Sequence, residues 1–156
     1  MDIVNQKFTK GSEWRKWDLH IHTPYSMVQG FTGATIEEKW ENFIKDLEAL
    51  PEEFKVIGIN DYLFIDGYKR VLEYRAAGRL TNIETILPVV EFRVKKFAGH
   101  KDFKRINFHV IFSDELDPAI IESQFLNSLT SKYHLSPGIN GIQWNGVVTK
   151  DSLSDL

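Results

Sequence analysis

Asp18, His20 and His22 stand at every second position of Lys16-Trp17-Asp18-Leu19-His20-Ile21-His22-Thr23-Pro24. A period of two is that of a β-strand, so the acid and two imidazoles share one face while Trp17, Leu19 and Ile21 are offered to a core. Pro24 cannot continue a ladder. The strand is therefore expected to stop at Thr23 with both imidazoles at its carboxyl end, where α/β folds place their ligand sites. Neutral imidazole is the commonest metal ligand, and same-face spacing lets two rings reach one ion. The alternative is an edge strand carrying two solvated histidines. Later strands add Asp61, which follows the apolar run Phe54 to Asn60, Glu91 within Ile86 to Val94, and His109 opposite the apolar face of Ile106 to Phe112. A histidine at 109, taken alone, is more often a satisfied core residue than a ligand. In chain order, Asp18, His20, His22, Asp61, Glu91 and His109 form the donor set of a hard or borderline divalent ion. One carboxylate can bridge two ions about 3.5–4 Å apart in two-metal hydrolases. No His-Glu-x-x-His, P-loop, Gly-x-Gly-x-x-Gly or Gly-x-Ser-x-Gly pattern competes with that chemistry.

These residues need strands and helices in alternation to hold them. After the loop Thr23 to Ala34, Thr35 and Glu38 have the form of a capping box. Trp40, Phe43, Ile44 and Leu47 follow at helical spacing, which predicts an amphipathic helix over Ile36 to Leu50 ending before Pro51. Phe54 to Asn60 reads as a buried parallel strand, Asp66 to Ala77 as a second helix with Gly78 at C′, and Thr85 to Lys95 as a third strand. An acid among apolar residues, as Glu91 is, costs free energy unless something pairs with it. Lys95 to Arg105 is basic, either a solvated hairpin connection or a phosphate-binding patch. Asp117-Pro118 starts a helix reaching about Ser131, with Ile121, Phe125 and Leu129 on one stripe. The expected organisation is one α/β domain over 1–156. Residues 1–15 form a lead-in, 16–131 a βα core, and 132–156 a loop and the start of a further helix.

A chain of 156 residues can bury a substantial core, and 42% hydrophobic with 26% charged residues describes a globular protein. Its formal charge of -3 does not mark a nucleic-acid binder, although local basic clusters could serve one. With no cysteine, a metal must be held by histidine and carboxylate. No stretch resembles a signal peptide or a membrane span, which makes a cytoplasmic location the expectation.

Asp18-Leu19-His20-Ile21-His22-Thr23 resembles the first motif of the PHP (polymerase and histidinol phosphatase) domain. Ile59-Asn60-Asp61-Tyr62 is similar to its second motif, usually Thr-Asp-His, Val90-Glu91 to its third, and Phe108-His109 to its fourth. More narrowly, Gly11 to Pro24 and Gly58 to Tyr62 resemble the PHP region that precedes an SMC-like or AAA-like ATPase in large proteins of the TrlF-type group. The resemblance implies a distorted β/α barrel, here its N-terminal portion, with mostly parallel strands and flanking helices. It implies metal ions at the mouth (Mn, Zn or Fe, two in a complete domain) and hydrolysis of a phosphoester, nucleic acid among the candidates. Carried over, His20 and His22 bind the first metal, Glu91 bridges and His109 binds the second, while Asp61 is a ligand or an outer partner. His20, His22, Asp61 and Glu91 are then the catalytic set. Where three-metal members carry further histidines, this chain has Ser26-Met27-Val28 and Tyr62, so a third metal is not expected. Beyond His109 only His134 could serve, and no Asp-x-His occurs. The chain is thus expected to be part of a longer protein, with an ATPase region as a partner in the same parent. A non-catalytic PHP-like module is the competing reading, and an amidohydrolase-like enzyme would need a Lys or His ligand pattern that is not found.

Overall fold

Thr35 Oγ1 accepts the backbone N–H of Glu38 at 3.1 Å, and Glu38 Oε2 accepts that of Ala34 at 2.8 Å. This reciprocal cap satisfies donors that a helix start leaves open and sets helix α1 at Ile36–Glu48. The computed structural model describes residues 14–26, 30–98 and 104–127, for 93–98 and 104–105 the backbone alone. Around α1 lie β1 (Lys16–Ile21), β2 (Phe54–Tyr62), α2 (Asp66–Ala76), β3 (Thr85–Ala98), β4 (Lys104–Ile111) and α3 (Pro118–Ile120), which continues as π-helical turns over Ile121–Leu126. Gly78, with φ +86°, takes the left-handed C′ position after α2 that only glycine adopts without cost. Most of the lead-in, the loop tip 27–29, the centre of the basic connection at 99–103, the end of the last predicted helix and all of 132–156, His134 included, lie outside the described residues.

The four strands form one curled, mostly parallel half-barrel sheet in the order β1-β2-β3-β4. β1, β2 and β3 run parallel, joined by the helical crossovers that such pairs require, whereas β4 returns antiparallel beside β3. Side chains alternate between the faces, and residues paired across strands share a face. Ile57 and Ile59 therefore lie with Ile86, Val90 and Phe92 on the outer face. They pack against Trp40, Phe43, Ile44 and Leu47 of α1 and Tyr68 and Val71 of α2. Gly58, Asn60 and Tyr62 share the inner face with Leu87, Val89 and Glu91, and β4 adds Asn107 and His109 to it.

β1 departs from simple alternation. Its register to β2 advances from Asp18↔Ile57 to Ile21↔Ile59, three residues against two, which is a β-bulge at Leu19-His20. The bulge turns Ile21 onto the packed outer face but leaves Trp17, expected in the core, 60% exposed. Asp18, expected beside the histidines, instead accepts the backbone N–H of His20 on Oδ1 at 3.1 Å and so braces the bulge. Gly58 makes room for it, since a Cβ there would stand 2.9 Å from Leu19 Cα and 2.8 Å from Val89 Cγ2. Two further expectations are revised. β3 runs past its expected end at Lys95 to Ala98 before the hairpin, and the helix begun at Pro118 becomes π-helical after one turn.

Candidate metal centre

Glu91 lies at the middle of β3, level with Tyr62 at the end of β2, and its side chain has 0% exposure. Because β2 ends there, this part of β3 carries its inner-face side chain at the mouth of the half-barrel. The carboxylate is held by two carboxamides, Asn60 Nδ2 donating to Oε2 at 2.9 Å and Asn107 Nδ2 donating to Oε1 at 2.5 Å. These are the partners that a buried acid demands.

Three imidazoles converge on the same carboxylate. Nε2 of His20, His22 and His109 lie 3.3, 3.4 and 3.6 Å from Glu91 Oε2, and the His20 and His22 nitrogens are 3.2 Å apart. His109 arrives on the antiparallel return of the hairpin expected at Lys95 to Arg105, not on a further parallel strand. It sits directly opposite Glu91 in the antiparallel hairpin, so the two share the inner face rather than two carboxyl ends. Tyr62 lies against the His22 ring at 5.0 Å with planes 30° apart, and Ser26 Oγ is 3.2 Å from His22 Nδ1.

Asp61 is placed differently from the other sequence-derived candidates. One residue beyond Asn60, it belongs to the outer face with Val90. Its Oδ1 accepts the Thr23 backbone N–H at 3.0 Å and its Oδ2 the Thr23 hydroxyl at 2.7 Å. Asp61 thereby anchors the chain immediately after His22. Gly67 of α2 has no side chain because a Cβ would fall 2.0 Å from Asp61 Oδ2.

The donor set fits a divalent ion. A tetrahedral zinc with bonds of about 2.0–2.1 Å separates its ligand atoms by about 3.3 Å, and the separations among His20, His22 and Glu91 run from 3.2 to 3.4 Å. His20, Glu91 and His109 likewise offer donor atoms all within 4.8 Å of one another, a group that could hold a metal ion. His109 Nε2 is buried and has no hydrogen-bond partner. Lone pairs of imidazole and carboxylate gathered this closely repel unless a proton or a cation lies among them. Asn60, Asn107, Ser26 and Thr23 were not singled out in the sequence. A usable signal existed for Asn60: within a strand otherwise apolar, alternation places Asn60 and Asp61 on opposite faces, so only one of them can meet Glu91. Among the described residues no helix is long and apolar enough to cross a membrane. No protein-family model, curated protein or solved structure matches the chain.

Proposed function

We propose that this chain carries the metal centre of a phosphoester hydrolase of the PHP type, with His20, His22, His109 and Glu91 as its ligands. The observation that carries the reading is the convergence of three imidazole nitrogens on one oxygen of a fully buried carboxylate. The order of the four motifs along the sequence supports the family, and the curled, mostly parallel sheet is compatible with a partial barrel. An ion held there supplies Lewis-acid polarisation of a phosphoryl oxygen and lowers the pKa of water toward neutrality. The protein's own part is positioning: Asn60 and Asn107 hold Glu91, Asp61 and Thr23 hold the chain after His22, and Ser26 holds the His22 ring. The substrate class in this reading is a phosphoester, with nucleic acid the polymer to try first and an ATPase region of the parent protein as neighbour.

Calorimetry with Mn²⁺ and Zn²⁺ tests binding on this chain, and hydrolysis of a generic phosphodiester and of single-stranded DNA is followed for the chain and its parent side by side. The chain is expected to bind weakly, and His20→Ala or His22→Ala to abolish both binding and the parent's hydrolysis. Misplacement by about 1 Å can cost on the order of 100-fold in rate, so the shorter chain should be the poorer catalyst. A parent inert on every phosphoester, yet folding and assembling normally after His20→Ala, would replace the enzyme reading by that of a structural module.

A further inference from the structure

Past Glu91, level with the end of β2, β3 and β4 run on as a two-stranded arm in which Arg93 pairs with Asn107, Phe97 with Arg105 and Ala98 with Lys104. The arm therefore projects from the rim of the metal centre. Arg93 is two residues beyond Glu91, about 7 Å along the strand, and Ala98 at most about 23 Å. Of the 19 lysines and arginines in the chain, Arg93, Lys95, Lys96, Lys104 and Arg105 stand at described positions of the arm, and none of the 22 acids does. The residues opposite Arg93, Arg105 and Lys104 in register are Asn107, Phe97 and Ala98, with no acid among them. Elsewhere bases are set beside acids, as Lys16 is to Glu53, Lys69 to Glu122 and Arg79 to Glu48.

Like charges on neighbouring strands repel, so a hairpin that served only to connect two strands would be more stable with both signs interspersed. A polyanion laid along the arm removes that repulsion, and the acids spread over the rest of the chain steer it there. The recess beside the arm selects a flexible polyanion. Glu91 is wholly buried and the His22 side chain only 9% exposed. Duplex DNA stays straight over about 150 base pairs and does not bend into such a recess, whereas a single strand can rest some phosphates on the arm and lower the next into the mouth. Resting on the hydrolase reading above, we infer that the arm formed by Arg93 to Ala98 and Lys104 to Arg105 is a binding surface for the phosphate backbone of single-stranded nucleic acid. It holds the strand whose phosphodiester enters the metal centre, and it does so without regard to base sequence.

The test follows fluorescence anisotropy of a labelled oligothymidylate mixed with the full chain, in EDTA so that strand binding is read apart from metal. The logarithm of the affinity is expected to fall linearly with the logarithm of salt concentration. Each phosphate contact contributes about 0.7 to that slope for a single strand, so Lys95→Gln combined with Lys96→Gln should make it shallower by about 1.4. Lys104→Gln combined with Arg105→Gln, on the other strand of the arm, should do the same, while circular dichroism and calorimetric Zn²⁺ binding stay as in wild type. In the parent, both pairs should raise KM for the oligonucleotide more than for a small phosphodiester. Wild-type affinity and slope in both pairs would overturn the inference and leave the metal reading standing, as would a wild-type chain that takes up Zn²⁺ but ignores the oligonucleotide at low salt. Equal binding to phosphatidylserine vesicles would overturn it too, in favour of a membrane surface. Strand binding that the arm variants weaken, in a chain that takes up no ion, would support the arm and sink the hydrolase reading alone.

Discussion

Ser26 meets His22 at Nδ1, the ring nitrogen opposite the one that faces Glu91. With the proton on Nδ1 donated to Ser26 Oγ, the Nε2 lone pair is directed at the cluster, which is how a hydrogen bond at the far nitrogen selects the tautomer of a metal-binding histidine. Ser26→Ala should therefore weaken Zn²⁺ binding by about 10-fold without a change in the unfolding midpoint, measured by calorimetry and urea titration on the same sample. Unaltered affinity would show that Tyr62 and the Thr23 anchor suffice to orient the ring. At this scale, chain order alone marked His20, His22, Glu91 and His109, because donor residue types in strand contexts are visible in a sequence. The carboxamides and Ser26 were not, since nothing local says which strand faces which. Asp61 was expected as a ligand or an outer partner and as one of the catalytic set, but its face in β2 is the outer one, where it holds Thr23.

Among the elements, the bulge in β1 and the glycine beneath it act as one device. The sequence showed a period of two and hence a regular strand; the inserted residue at Leu19-His20 has no local signature, and it is recognisable only against β2. Gly58→Ala would drive a methyl group into Leu19 Cα and the Val89 side chain. Backbone on one side limits relaxation, so the change should cost about 1–3 kcal/mol in urea unfolding and lower Zn²⁺ affinity by shifting His20. Helices were read more accurately because their signals are local, as the Thr35 cap and the Gly78 stop show. The link between α1 and the turn after α2 was not visible. Arg79 binds both oxygens of Glu48 at 2.7 Å and reaches Glu41, while Glu48 Oε1 also accepts the Leu80 N–H at 3.1 Å. The hydrogen bonds from Arg79 hold the Glu48 carboxyl down at about 2, against an ordinary 4.5. A carboxyl lowered in the folded state stabilises fully above its unfolded value and loses that contribution as pH falls. The stability gap between wild type and Glu48→Gln should thus be widest above pH 4.5 and close as pH falls toward about 2, read from urea midpoints across that range.

As a whole molecule, the sheet has two open sides among the described residues, where β1 is hydrogen-bonded only to β2 and β4 only to β3. β4 exposes Ile106 at 42% and Phe108 at 56%. An unpaired strand bearing apolar side chains is a template for another chain. Sedimentation velocity should show concentration-dependent association that Phe108→Thr reduces, whereas a strictly monomeric wild type at high concentration would show that the edge is protected. The α/β class and the order of elements were legible from periodicity, and the return of β4 from the short polar connection Lys95 to Arg105, which suits a hairpin. The strand order also bears on how the protein opens. β1 is one of the two edge strands of the described sheet, with two breaks in its pairing to β2, yet His20 and His22 extend past β2 to an acid on β3. A bound ion is then a fastener across three strands, tying the segment most ready to fray to the strand beyond its neighbour. Binding only to the closed form adds about 2.7 kcal/mol at a concentration 100 times Kd. Amide hydrogens of Lys16–Ile21 should accordingly exchange on a clock set by zinc concentration, while those in the solvent-facing first turn of α1 keep their own pace.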